Sequence, residues 1–243
     1  MTQLLYQVDS YLRTFEANVT AVDYDNMAVL LDRTVFFPGG GGQPHDTGFL
    51  IWAGATLEVI RPLRGAEGIW HKLAPDSALP SEGSIVTGEL DWTRRYSLMR
   101  THSALHVLCG VVFRDYGALV TGGDMEPLKG RMDFEFETLH KDLVQVIDEA
   151  VNREVKAGRD VRIQILPREQ AFQIPDLIRT KINLLPPGIR EVRTVEIAGL
   201  DLQADGGTHI ANTAEIGQVK VVDYKSKGKI NKRIYIELDR SPI

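Results

Sequence analysis

Two pairs of side chains stand at spacings that suit metal chelation. The first is His102-Ser-Ala-Leu-His106. Two histidines four apart on a helix share one face about one turn apart, so both imidazoles can reach one ion. Two ordinary histidines, one capping and one packed, would show the same spacing. No Glu occupies the position it has in an HExxH zinc-protease helix, so that chemistry has no support. The second pair is Asp205-Gly-Gly-Thr-His209, a carboxylate and an imidazole four apart across a Gly-Gly turn. Glycines permit the positive φ values that let a short loop curl around an ion. The plainer reading is a turn after a strand, with Asp205 making an Asx hydrogen bond. Taken together, His102, His106, Asp205 and His209 form a three-His, one-Asp set. It suits Zn2+, whose nitrogen and oxygen ligands lie ~2.0–2.2 Å away.

A third signal is Phe37-Pro-Gly-Gly-Gly-Gly-Gln-Pro44. Four consecutive glycines are entropically costly. They make sense where a backbone passes close to something else or presents its N–H groups to an oxygen. Gly40, Gly41 and Gly42 are therefore candidate substrate-binding residues. The run lacks the Lys-Ser/Thr of a phosphate-binding P-loop, which argues against nucleotide hydrolysis. The only cysteine, Cys109, lies seven residues after His102. On a helix those backbones would be ~10 Å apart, too far for one ion to take both along with His106, so Cys109 reads as core. His45, His71 and His140 have no ligand partner at comparable spacing and read as structural or surface residues.

These motifs need elements to hold them. The first ~90 residues read as short strands punctuated by Gly and Pro: NVTAVDYD and MAVLLD as a hairpin, then TVFF, TLEVI, GIWHKL and SIVTGEL. That spacing suggests a small antiparallel barrel or sandwich over residues 1–91, with the polar stretch 74–84 as a loop inside it. From Thr93 to about Tyr116 the pattern is helical, with Leu98, Leu105, Leu108 and Val112 on one face. RMDFEFE alternates as a half-buried strand. A second helix runs from about Leu139 to Lys156 on a face of Leu139, Leu143, Val146, Ile147, Ala150 and Val151, with Gly158 as its stop. Strands follow at VRIQIL, REVRTVEI, IGQVKVVDY and KRIYIEL. The fold class expected is α+β, with a small N-terminal barrel followed by a larger α+β domain over residues 92–243.

Composition sets bounds. The 243 residues are 43% hydrophobic and 25% charged, ordinary for a globular chain and unlike a disordered or disulfide-rich one. No apolar run approaches the ~20 residues of a membrane span, the N-terminus lacks a signal-peptide pattern, and a lone cysteine is consistent with the cytoplasm. The formal charge is −5, so any nucleic-acid contact must use a local basic face. Two clusters qualify. Arg94, Arg95 and Arg100 precede the histidine pair, and Lys225, Lys227, Lys229, Lys232 and Arg233 carry five positive charges without an acid among them. The commoner fate of such runs is a solvated face.

Four separated motifs, TVFFPGGGGQPHDTG (34–48), RTHSALHVL (100–108), LQADGGTHIANTAEIG (202–217) and the terminal KGKINKRIYIEL, resemble in type and order the AlaX family of alanyl-tRNA editing proteins. These are free-standing relatives of the alanyl-tRNA synthetase editing domain. The glycine-rich N-terminal domain is similar to the medium-length class. The resemblance implies hydrolysis of the ester of mischarged tRNA(Ala), chiefly seryl and also glycyl, with His102, His106 and His209 as zinc ligands. The family's fourth position is commonly cysteine, and here it is Asp205, a harder ligand that admits other divalent ions. The resemblance also places Thr34 near a serine side chain and Gln43 in the same pocket. The residues acting directly in catalysis are not specified. Against this deacylase stand a tRNA- or zinc-binding module with weak catalysis and a related metal-dependent ester hydrolase.

Overall fold

The computed structural model describes residues 1–75, 77–181, 185 and 188–240. It divides into two compact units, one of residues 1–40 and 44–96, the other of 41–43 and 97–243. The glycine-rich motif is thus split, with Gly41, Gly42 and Gln43 counted among the second unit.

In the first unit, short β1 (Gln3–Leu4) pairs in parallel with β4 (Arg33–Thr34). Six antiparallel strands close a barrel: β2 (Thr14–Asp23), β3 (Ala28–Leu31), β5 (Gly48–Trp52), β6 (Ala55–Arg64), β7 (Ile69–Leu73) and β8 (Ile85–Leu90), in the order β2-β3-β7-β6-β5-β8. Strict alternation along β2 turns Phe15, Ala17 and Val19 inward, where Val29, Leu31, Leu50, Val59, Leu73 and Val86 meet them. The alternative of a sandwich is set aside by this closure. β5 (GFLIW) had not been expected. TVFF was expected as a strand, yet only Thr34 of it lies in one. Side chains replace the ladder there: Thr34 Oγ1 accepts from the Phe36 amide at 3.1 Å and Asp46 Oδ2 from the Phe37 amide at 2.6 Å. Residues 74–84 link β7 to β8, with position 76 outside the described residues.

In the second unit, α1 (Trp92–Tyr116, whose first turn belongs to the barrel unit) leads to β9 (Val120–Glu126) and β10 (Lys129–Glu135). α2 (Lys141–Lys156), β11 (Val161–Pro167), α3 (Arg168–Ala171), β12 (Glu191–Ile197), β13 (Asp201–Ala204), β14 (Val219–Ser226) and β15 (Asn231–Leu238) follow. The sheets are β14-β15-β10-β9 and β11-β12-β13, all antiparallel. The chain is therefore α+β. β9 and β13 lie outside the strands read from sequence because glycines and acids break their apolar alternation.

Two helix faces differ from the sequence expectation. α1 is buried on every side from Leu98 to Val112, not along one stripe. Thr101 and Arg100 are tolerated inside because both are bonded: Thr101 Oγ1 donates to Ser97 O, and the Arg100 guanidinium donates to Ile216 O and to Asp239. On α2 the buried face is Val144, Ile147, Ala150, Val151 and Val155, while Val146 is half exposed and Leu139 precedes the helix. His140 caps its N-terminus, with Nδ1 accepting from the Leu143 amide. Gly158, with φ of 61°, follows the C-terminal end.

Candidate metal centre

His102 and His106 sit one turn apart on the buried part of α1, with ring centroids 5.0 Å apart. His209 comes from the loop after β13 and stacks on His102 at 4.2 Å. Asp205 begins that loop. Its amide donates to Arg193 O at 3.0 Å, and the Arg193 guanidinium returns a bond to Asp205 O at 3.0 Å, so the β12–β13 ladder sets its place. The ligand-capable atoms of His102, His106, Asp205 and His209 all lie within 4.8 Å of one another.

The orientation of each ring is informative. Nε2 of His209 stands 3.1 Å from Asp205 Oδ2, and Nε2 of His102 and His106 stand 3.5 and 3.9 Å from Oδ1. Two ligands each ~2.0–2.1 Å from one zinc at a tetrahedral angle are themselves ~3.4 Å apart. All three imidazoles thus face the carboxylate with the same nitrogen. Behind them, His102 Nδ1 is 3.0 Å from Gln43 Oε1, and His209 Nδ1 is 3.0 Å from Ser103 Oγ. Gln43 Oε1 can only accept, which fixes the His102 tautomer that leaves Nε2 free as a ligand, while the Ser103 hydroxyl orients the His209 ring. His106 Nδ1 is buried without a hydrogen-bond partner among the described residues and lies 4.0 Å from Asp201 Oδ2.

Electrostatics agree with ligation. Burial pushes the three histidines below their ordinary range, His106 to about 4 with its His102 neighbour adding to the effect. They are therefore neutral near pH 7, with lone pairs available. Burial works against ionised Asp205, but the surrounding His102, His209 and His106 side chains hold its carboxyl well below the usual carboxylate range. Buried neutral imidazoles converging with one partly exposed carboxylate fit a divalent ion of the zinc type.

The Gly-Gly turn works differently from expectation. Neither Gly206 nor Gly207 has a left-handed φ. A Cβ on Gly207 would lie 2.4 Å from His102 Cε1 and 2.6 Å from Gln43 Oε1, so glycine is required there for close approach. Asp205 Oδ2 does accept from the Gly207 amide at 2.6 Å. The Asx turn and the convergent cluster thus coexist in the same loop.

The glycine run matches its expected backbone role. Gly39 to Gly42 all have positive φ, between 60° and 137°. Gly42 O accepts from the Met125 amide at 3.2 Å, and a Cβ on Gly42 would press on Gly123 O at 3.0 Å. Gly41 and Gly42 line a cavity of about 550 Å3, which His102, His106 and Asp205 also line; Gly40 does not contribute to it. Leu105, Val120, Met125 and Met132 form apolar walls, and Arg179 and Lys181 bring positive charge.

Other expected site residues fall elsewhere. Gln43 is buried and stands behind His102: Nε2 donates to Thr208 Oγ1 at 2.8 Å, while Oε1 accepts from the Thr208 amide at 3.0 Å. Thr34 is fully buried in the barrel unit, its hydroxyl bonded to His71 Nε2 at 2.8 Å. Arg95 requires correction as a nucleic-acid contact. It is fully buried, bonding Asp46 through Nε at 3.0 and 3.1 Å and donating to Ser10 O and Val35 O. Arg94 is half-buried and donates to His45 O.

Lys232 is likewise corrected: it is buried, and its ammonium donates to Gly228 O and Lys229 O. Arg233 pairs with Asp133 at 2.6 and 2.8 Å, and exposed Lys225 pairs with Asp223 at 3.1 Å. Lys227 and Lys229 are exposed. The sheet supplies acids that the linear run does not show. Cys109 is buried, and burial with the Asp201 charge pushes its thiol up, as expected of a core residue. Asp201, Ser103, Thr208 and Arg193 were not identified in the sequence. The single available signal was Asp201 standing four residues before Asp205.

Comparison with known proteins decides the family. Two curated relatives, both alanyl-tRNA editing proteins AlaX-M, match along nearly their whole length. The one from Saccharolobus solfataricus is 41% identical over 97% of this chain and 98% of its own. That from Methanosarcina acetivorans is 38% identical over 98% and 99%. The chain belongs to the AlaX-M family of alanyl-tRNA editing proteins. An alanine–tRNA ligase from Ignicoccus hospitalis is 34% identical over 91% of this chain, which spans only 24% of that enzyme. Residues 192–235 match the family described as the threonyl and alanyl tRNA synthetase second additional domain, and residues 4–94 match class II (A) tRNA synthetases. In this AlaX-M chain the first of those segments carries Asp205 and His209, and the second is the barrel.

Proposed function

We propose that this AlaX-M chain is an aminoacyl-tRNA deacylase that hydrolyses the ester of mischarged tRNA(Ala), chiefly the seryl and also the glycyl ester. Its site holds one divalent ion, zinc first, on His102, His106, Asp205 and His209. The observation that carries this reading is the convergence of three Nε2 atoms and one carboxylate, of which those of His102, His106 and Asp205 line a 550 Å3 cavity. That volume exceeds a seryl group several-fold and leaves room for the terminal nucleoside that bears it.

Attack on an ester carbonyl builds negative charge on its oxygen. A bound divalent ion supplies positive charge there, to stabilise that oxygen, lower the pKa of an attacking water or orient the substrate's amino group. The chain's own residues prepare the site. Gln43 holds His102 in the tautomer that presents Nε2, and Ser103 orients the His209 ring. Arg193, 3.7 Å from Asp205 Oδ2, offsets the charge of the carboxylate. Leu105, Met125 and Met132 keep that side of the cavity apolar, which strengthens any charge interaction within it. Exposed Lys227 and Lys229, with half-buried Arg94, remain as contacts for tRNA phosphate.

The test is a deacylation time course on Ser-tRNA(Ala), Gly-tRNA(Ala) and correctly charged Ala-tRNA(Ala) with zinc-loaded protein. Rapid loss of serine with alanine spared is expected, with an apparent affinity that weakens as salt rises. tRNA binding without turnover would replace the enzyme with a binding module. Turnover of small esters without tRNA would replace it with a general esterase.

A further inference from the structure

We infer that Asp201 is a positioning residue for the metal centre: it is the outer carboxylate toward which the Nδ1–H of His106 is directed, and it keeps that ring's Nε2 turned to the ion. The inference rests on the reading above that the cluster holds a metal.

Among the three imidazoles the outer nitrogens are treated unequally. Gln43 and Ser103 serve those of His102 and His209, while His106 Nδ1 is buried and has no hydrogen bond among the described residues. A neutral imidazole that gives Nε2 to an ion carries its proton on Nδ1. That proton needs an acceptor, because a buried donor left unpaired forfeits its desolvation. The group in place is Asp201 Oδ2 at 4.0 Å, on a side chain 1% exposed. A shift of about 1 Å brings the pair into hydrogen-bond range.

Asp201 is itself held for this task. Oδ1 accepts from Arg179 Nε at 3.2 Å and Oδ2 from Gln203 Nε2. Arg179 lies over the Phe113 ring, its guanidinium carbon 3.8 Å from the centroid. The carboxylate is thus charge-compensated on the side away from His106, as a buried anion requires. The helix makes room for it as well. Gly110 stands one turn after His106, and a Cβ there would lie 2.9 Å from Asp201 Cβ and 2.9 Å from Leu200 Cγ. Glycine inside a helix is unfavourable, and here it allows the start of β13 to press against α1 beside the histidine. One short strand thereby places Asp201 at its start and Asp205 just past its end, on opposite sides of His106: Asp201 lies nearest Nδ1 and Asp205 nearest Nε2.

The experiment is zinc titration of the full-length apoprotein against a competing chelator, with circular dichroism of each apoprotein alongside. Asp201→Asn is expected to bind zinc about 10- to 100-fold more weakly than wild type, as loss of an outer-shell partner does. Gly110→Ala, which displaces the carboxylate without changing its chemistry, is expected to weaken binding in the same direction. Asp205→Ala serves as the reference for loss of a direct ligand. Nitrogen-15 NMR of zinc-loaded wild type is expected to show His106 protonated on Nδ1 and ligated through Nε2. This readout does not depend on any variant folding. Wild-type affinity in Asp201→Asn, or an ion on His106 Nδ1, overturns the inference while leaving the metal reading intact. No zinc uptake by wild type overturns both.

Discussion

Replacing Gly207 with alanine tests whether the loop carrying Asp205 and His209 is built by steric contact with His102. The added Cβ would sit 2.4 Å from His102 Cε1, 2.6 Å from its Nδ1 and 2.6 Å from Gln43 Oε1. Relaxed contacts between carbons begin near ~3.5 Å, so the ring or the loop has to retreat by roughly 1 Å. Metal–ligand distances are held to about ±0.2 Å, so the displacement is several times the tolerance. Two effects follow. Forcing a methyl into a packed site costs about 1–3 kcal/mol of stability. Pulling His102 from Gln43 removes an outer-shell bond and weakens zinc by about 10- to 100-fold. Gly206→Ala is the internal control, because its Cβ meets nothing within 4 Å and its φ is not left-handed. It is expected to leave zinc affinity unchanged and to alter stability by no more than about 1 kcal/mol. The assays are thermal unfolding of the apoproteins and chelator competition for zinc. Wild-type affinity in Gly207→Ala, or an equal loss in both variants, would refute the steric argument.

Three further outcomes are expected. Gln43→Leu leaves His102 Nδ1 and both polar groups of Thr208 without their shared partner; zinc affinity falls about 10- to 100-fold, measured by the same competition. Arg95→Ala strands buried Asp46 and costs about 3–5 kcal/mol, read from urea unfolding; a change under 1 kcal/mol would show that the ion pair does not hold the barrel unit. Burial pushes the His71 imidazole down to about 4 from an ordinary 6.5. As pH falls through 6.5 the unfolded chain takes up this proton before the folded one does. The contribution of His71 is therefore complete above pH 6.5 and is lost progressively toward pH 4, about 3 kcal/mol in all. His71→Gln should flatten the stability–pH slope across that window, and an unchanged slope would place the titrating group elsewhere.

Local spacing carried much of this protein. HxxxH on a helix and a carboxylate four residues before an imidazole are short-range patterns, and helical rise and turn length convert them directly into geometry. The barrel strands other than β5 were legible for the same reason, since a period of two needs only neighbours. The close backbone approach of the glycine run was legible because the cost of four glycines in a row calls for a backbone explanation, but the positive φ expected at Gly206 and Gly207 is found instead at Gly39 to Gly42.

What spacing could not show is which buried group answers which. Gln43 reaches Thr208 across 165 residues and His102 across 59, so its place behind His102, not in the cavity, exists only once the chain is folded. The run from Lys225 to Arg233 looked uniformly basic because its compensating Asp133 lies on a neighbouring strand, and Arg95 looked like a surface cation until Asp46 met it inside the barrel unit. Polar side chains are satisfied by whatever the fold brings within 3 Å, and one-dimensional order holds no record of that. The sequence by itself determined the donor set and the local elements that display it. The tertiary structure decided which cations are spent as internal ties, why Gly207 and Gly110 must lack side chains, and that Asp201 stands behind His106.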